Sequence, residues 1–191
     1  MKTKIIASAI AILTTQAAFA EEHKNDLQWN NVEVDYVAQD IEGAGDFDPK
    51  GVSLKGTKLV HDNIFVLGGY TYASESLAGS SIELENLSVG VGYQKPISSK
   101  ASVYSTLTYE DYEVENFDYD GFNVALGMRY LANENLELDT RVTNVNIDGD
   151  NELAFKAKGY YKVKEDLFVG LGYNFYQGNN GQLEAGVRYS F

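Results

Sequence analysis

Along most of this chain apolar and polar residues alternate with a period of two. In "NLSVGVGYQ" one parity carries Leu87, Val89, Val91 and Tyr93, and the other carries Asn86, Ser88, Gly90, Gly92 and Gln94. "GFNVALGMRY" opposes Phe122, Val124, Leu126, Met128 and Tyr130 to Asn123, Ala125, Gly127 and Arg129. "LFVGLGYNFY" and "GQLEAGVRYSF" repeat the pattern, the second as far as the final Phe191. Such a period places successive side chains on opposite faces of a strand. Segments near ten residues with this dyad repeat are the signature of a transmembrane β-barrel. Ten of them are predicted: 30–40, 51–60, 64–74, 84–95, 101–111, 121–131, 136–146, 152–162, 167–176 and 182–191.

The links between segments alternate in length. Short ones fall at 61–63, 96–100, 132–135 and 163–166; longer ones fall at 41–50, 75–83 and 112–120, with shorter partners at 147–151 and 177–181. Short periplasmic turns and longer outer loops are what membrane barrels show. An even count places both termini at the periplasmic end. The chain thus reads as all-β, an antiparallel up-and-down transmembrane barrel of ten strands. Eight is the alternative, if two segments belong to long loops. The alternation is least regular in "IFVLGGYTY" and "TNVNID", where a bulge is expected to shift the register. On the face assigned to lipid, Trp29, Tyr93, Tyr130, Tyr161 and Tyr189 fall near the short turns. Tyr36, Tyr72, Tyr109, Phe122 and Phe175 fall near the loops. Two such aromatic girdles are expected at the headgroup levels.

The first twenty residues change the picture. Lys2 and Lys4 precede an apolar run from Ile5 to Leu13, and Ala18-Phe19-Ala20 follows. That order predicts a secretory signal cleaved between Ala20 and Glu21, with Ala18 and Ala20 as the small residues before the bond. The run is too short to span a bilayer as a helix, which takes about 20 residues. Removing residues 1–20 leaves 171 of 191 residues and takes away two lysines, so the net charge moves from −13 to −15. A chain this acidic disfavours nucleic acid as a partner. There is no cysteine, which excludes disulfides, thiolate metal sites and an N-terminal lipid anchor. Charge also divides by end. Glu42, Asp46, Asp48, Glu75, Glu83, Glu113, Glu115, Asp118, Asp120, Asp148 and Asp150 lie in the longer links, whereas Lys58, Lys95, Lys100, Lys162 and Lys164 lie by the short turns. A soluble sandwich gives no reason for that division. An oriented barrel does.

The polar parity lines the predicted lumen. Its mid-strand charges are Glu33, Asp35, Glu137, Asp139 and Glu184 against Lys55, Arg129, Arg141, Lys156, Lys158 and Arg188. Arg129 is placed to meet Glu137 or Asp139, Asp139 to meet Lys158, and Arg188 to meet Glu33 when the barrel closes. Balanced pairs read as a polar plug, whereas a selective pore would show one dominant sign. Tyr104, Tyr160, Phe168 and Tyr176 point inward as well, and a small barrel is just wide enough for side chains to fill it. No enzyme is expected. Nucleophile activation needs a base within reach, and His61 lies in a short turn while His23 lies before the first strand. The fragments "NIDGDNE" (Asn146, Asp148, Asp150, Glu152) and "DYDG" (Asp118, Asp120) fall short of a full calcium loop, so no cofactor or dedicated metal site is expected.

Through "GVSLKG", "VGVGYQ" and "ALGMRYL" the whole chain after residue 20 resembles the small Gram-negative outer-membrane barrels of the OmpA/OmpX type. It resembles especially their porin-like branch labelled sulfation-dependent quorum factor. The resemblance implies the Gram-negative outer membrane as location, with its lipid and lipopolysaccharide as surroundings. It also implies a barrel-assembly machinery that recognises a C-terminal strand ending in an aromatic residue. Tyr189 and Phe191 match that pattern. A signalling role is not carried over, since no residue supports its chemistry. The expected function is a monomeric, structural, surface-exposed barrel with a largely plugged polar lumen. A narrow passive channel for small solutes and an adhesin acting through acidic outer loops are the alternatives.

Overall fold

The structure, a computed structural model, describes residues 26–40, 48–77, 80–115, 117–177 and 180–191. Its ten strands are β1 (Asn31–Asp40), β2 (Lys50–His61), β3 (Ile64–Leu77), β4 (Ser80–Ser98), β5 (Ala101–Val114), β6 (Phe117–Asn133), β7 (Leu136–Ile147), β8 (Asp150–Lys164), β9 (Leu167–Tyr176) and β10 (Gly181–Ser190). Each runs antiparallel to the next, and β1 closes on β10 from Asn31↔Ser190 to Asp40↔Gly181. Closure leaves no strand edge unpaired, which is the condition for a sheet to sit in lipid. The ten predicted segments map one to one onto these strands. The predicted signal and its cleavage residues Ala18, Ala20 and Glu21 lie outside the described residues.

Val34, Leu54, Val89, Leu107, Leu126, Val142, Leu171 and Val187 stand exposed on the outer surface, so the apolar face surrounds the barrel. A continuous apolar band of this kind is no ordinary aqueous surface.

At the loop end the structure differs from the sequence reading. Residues 75–83 and 112–120 are not long links, because β3 to β6 run through most of them. The ladders continue to Leu77↔Ser80 and Val114↔Phe117. What changes there is which parity is apolar. Leu87, Val89 and Val91 are odd-numbered and face out, whereas Ile82 and Leu84 are even-numbered and share the inward parity; Glu83, Glu85 and Glu113 take the outer face. A strand leaving lipid for water needs that exchange, since its outer face must now be hydrated. The alternation persists and only its phase reverses. The same reversal explains "TNVNID", where Asn144 and Asn146 share the outward parity of Val142. No bulge is needed there. Asp148 and Gly149 then close the hairpin with φ of 50° and 91°, the left-handed pair that two-residue Asp-Gly turns favour.

The bulges lie elsewhere. Register shifts occur at Leu59/His61, Pro96/Ser98, Leu131/Asn133 and Lys162/Lys164, one beside each of the four short turns. A bulge bends its strand and tightens the twist at a barrel rim. "IFVLGGYTY" is regular and looks irregular because both its faces are apolar. Phe65 and Leu67 point inward to pack on Trp29.

Trp29 itself departs from its expected place on the lipid face. It is 5% exposed, inside the barrel, against Phe65 and Tyr104 with ring centroids 4.8 and 5.5 Å away. Its parity is that of Asn31 and Glu33, which is the inward one. Thr57 Oγ1 donates to the Trp29 carbonyl at 2.7 Å, and the Leu59 amide donates to Asn30 Oδ1 at 2.8 Å. These bonds fold the N-terminal segment over the rim and seat the indole at the short-turn mouth.

Candidate functional site in the lumen

The lumen is built on one residue that reaches its middle. Lys158 of β8 is fully buried, and its Nζ lies 2.6 Å from Glu33, 2.6 Å from Asp35 and 3.1 Å from Glu184. Glu184 also accepts from Lys156 Nζ at 2.6 Å, Lys55 Nζ at 2.8 Å and Asn174 Nδ2 at 3.0 Å. Lys55 completes the cluster with Asp35 at 3.4 Å. Three lysines thus neutralise three carboxylates drawn from β1, β2, β8 and β10. The Lys158 stem lies on Gly172 of β9, where a Cβ would come within 2.7 Å of the lysine Cβ and Cγ. A larger residue there would push the ammonium off centre. One ligand oxygen from each of Glu33, Asp35 and Glu184 lies within 4.8 Å of the others, a spacing that suits a metal ion. In this lumen the Lys158 ammonium provides the cation.

A second charged layer sits nearer the short turns. Glu137 accepts from Arg129 Nε at 2.8 Å and from Arg188 Nη1 and Nη2 at 2.8 and 2.7 Å. Two guanidiniums share one carboxylate, so one positive charge has no carboxylate of its own. Aromatic faces take it up. Arg129 Cζ is 4.5 Å from the Trp29 ring, and Arg188 Cζ lies 3.9 Å from Tyr160 and 4.6 Å from Phe168. Each such contact contributes about 0.5–2 kcal/mol, more when desolvated.

All the lumen charges expected from the sequence face inward, but only part of their pairing holds. Arg129 does meet Glu137. Asp139 and Lys158 are register neighbours, as are Glu33 and Arg188, yet neither pair forms an ion pair. Lys158 crosses to the carboxylates of β1 and β10, and Asp139 instead accepts from Tyr104 Oη at 2.7 Å. The Tyr104 ring reaches it by lying over Gly127, where a Cβ would collide with the ring. Long side chains in a tilted barrel meet at equal height, and register neighbours are not at equal height. Glu110 was missed. It shares the inward parity of Ser102, Tyr104 and Thr106 and accepts from Thr108 Oγ1 at 2.9 Å. The predicted strand 101–111 already contains it, and carrying the even parity to the end of that strand finds it.

Tyr189 and Phe191 are exposed on the outer face with stacked rings, and the Phe191 amide donates to the Asn30 carbonyl at 3.0 Å. His61 is exposed at the end of β2, and His23 lies outside the described residues.

The charges concentrate on one side of the lumen, from Arg129 of β6 through β7, β8 and β10 to β1 and Lys55 of β2. The facing wall is made of small residues: Ser53, Gly69, Thr71, Ser88, Thr106, Thr108 and Ala125. A cavity of about 270 Å³ lies between the walls, with Trp29, Phe65, Tyr104 and Arg129 among its lining. A second, of about 260 Å³, shares Thr71, Asn86, Tyr112, Val145, Tyr176 and Gln182 with it and extends to Asp40, Ile147 and Asn180 at the loop end. The two form a vestibule above the aromatic cluster. Of the charged groups that line it, Glu33, Lys55, Arg129, Lys156, Glu184 and Arg188 are held by fixed counterions, an arrangement that fixes shape more than it prepares a reaction.

Comparison with known proteins agrees with this architecture. The sequence profile of the family described as outer membrane protein beta-barrel domain matches residues 5–191. No curated protein sequence matches the chain. Among solved structures the chain is similar to the NanC porin at 8% identity, covering 83% of this chain and 100% of that one with a TM-score of 0.50. It is also similar to the KdgM porin (12% identity, 83% and 99% covered, TM-score 0.48). Neisserial surface protein A matches at 17% identity, with 85% and 96% covered and a TM-score of 0.41.

Proposed function

The chain belongs to the outer-membrane β-barrel domain family, and from that premise we propose that it is a monomeric structural barrel, closed to steady flow, with its loop end at the cell surface. In this reading the short turns and both termini face the periplasm. Outer-membrane lipid and lipopolysaccharide surround the apolar band. What carries the reading is a double obstruction, the Trp29–Phe65–Tyr104 cluster at the short-turn mouth with the Lys158 charge cluster beyond it. Purified protein in a planar bilayer should show no steady conductance, or only rare small openings. Regular, long-lived conductance from the unmodified protein overturns the closed lumen and puts a narrow channel in its place.

The same reading makes β10 the assembly signal. Tyr189 and Phe191 present their rings outward at the end of the closing strand, where an assembly machinery can bind them. Removing Phe191 should lower the outer-membrane level of the protein and leave material in the periplasm, as fractionation measures. Unchanged outer-membrane levels would sink this part.

A further inference from the structure

Five of the six lumen cations, Lys55, Arg129, Lys156, Lys158 and Arg188, have a carboxylate within ion-pair distance. Arg141 does not, among the described residues. Asp139, two positions away on the same face, is turned to Tyr104, and Glu110 is held by Thr108. The Arg141 Nε is buried without an acceptor. On the neighbouring strand Asn123 Oδ1 is buried without a donor. Both residues line the first cavity, between the two walls, together with Thr106, Thr108 and Thr143. A donor that lacks an acceptor and an acceptor that lacks a donor, in one cavity, are complementary to a ligand that carries both. Leaving either unmet is unfavourable in a buried setting.

We propose that this vestibule is a binding site for a small, extended hydroxy-carboxylate, with the carboxylate on Arg141 and a hydroxyl donating to Asn123 Oδ1. The guanidinium fork suits a carboxylate through two parallel hydrogen bonds. In register Arg141 lies opposite Gly127, and Asn123 is four residues further along that strand. At about 3.3 Å per residue this is about 13 Å of backbone. The ligand therefore carries its carboxylate and hydroxyl several bonds apart, and the threonine hydroxyls are placed to meet hydroxyls on the carbons between. The cavity of about 270 Å³ and the adjoining one of about 260 Å³ together leave room for a six-carbon acid.

The experiment is a calorimetric titration of the full barrel, folded in lipid vesicles, with gluconate. Sorbitol, which has the hydroxyls without the carboxylate, is the control. Gluconate should bind saturably and sorbitol at least about tenfold more weakly, a factor that corresponds to about 1.4 kcal/mol. Arg141→Gln should weaken gluconate by about tenfold or more, as loss of a charge-assisted pair does. Asn123→Ala should weaken it by a smaller factor. Heat-modifiable migration on a gel checks that each variant is folded. Should Arg141→Gln fail to fold, Arg141→Lys carries the test, since it keeps the charge and loses the fork. Gluconate that does not saturate, or binds equally to wild type and the folded arginine variant, overturns the proposal. The site rests on the closed lumen only in being blind at one end, and conductance tests that separately. A silent barrel that ignores gluconate fails here alone, and a conducting barrel that binds it fails only the closure.

Discussion

The two walls of the lumen have opposite compositions although both are made of the same alternating strands. From Arg129 of β6 round to Lys55 of β2 the inward positions hold Arg129, Glu137, Asp139, Arg141, Lys156, Lys158, Glu184, Arg188, Glu33, Asp35 and Lys55; at the height of the cavity β3, β4 and β5 hold Gly69, Thr71, Ser88, Thr106 and Thr108. The long side chains reach the lumen centre and bond across it, so this wall is cross-linked through its charges. The short side chains reach nothing central. They satisfy themselves locally, as Ser53 and Thr71 do at 2.8 Å, and leave the vestibule empty of protein. Packing and space in this barrel are therefore assigned by strand. Charge within the filled wall is handled in two ways. The lysines match carboxylates in number, whereas the guanidiniums share one carboxylate and lean on aromatic faces.

The hardest test of that contrast is Lys158→Met. It leaves Glu33, Asp35 and Glu184 crowded around a missing cation, with only Lys55 and Lys156 to balance them. Breaking a buried pair costs about 3–5 kcal/mol, toward the lower end where water enters. Urea unfolding in lipid vesicles measures it. Because the three carboxylates are spaced for a metal ion, added calcium should recover part of the loss in the variant and none in wild type. A neutral Lys158→Met would mean the cluster is hydrated and loose.

Glu137→Gln should cost less, about 1.5–3 kcal/mol, the range for hydrogen bonds to charged groups. Arg129 and Arg188 would keep their contacts with Trp29, Tyr160 and Phe168. The same unfolding titration applies, and a loss equal to that of Lys158→Met would remove the distinction between the two layers. The smallest effect belongs to the facing wall. Ser88→Leu puts an isobutyl group where the cavity is, and its stability should shift by about 0.5 kcal/mol or less, as for changes away from any packed feature. A large loss at Ser88 would show that the small-residue wall is packed after all.

Much of this was legible in the sequence because a membrane barrel imposes a period of two on every strand. The alternation gave the strand count, the order of the hairpins and the inward face of the eleven mid-strand charges singled out between Glu33 and Arg188. It even contained the end of the apolar band, as the phase reversal between Leu84 and Leu87, and the inward turn of Trp29, through the parity it shares with Glu33. Parity alone determines these, since it is a local property of each strand. What only the tertiary structure decided is which charges meet. Lys158 joins β8 to β1 and β10, Arg188 joins β10 to β7, and Tyr104 reaches past Gly127 from β5 to β7. Those partners are set by barrel tilt and by which neighbour is a glycine, quantities that exist only once the sheet has closed. The vestibule, with Arg141 and Asn123 facing it unmatched, is likewise a difference between two walls that closure brings face to face.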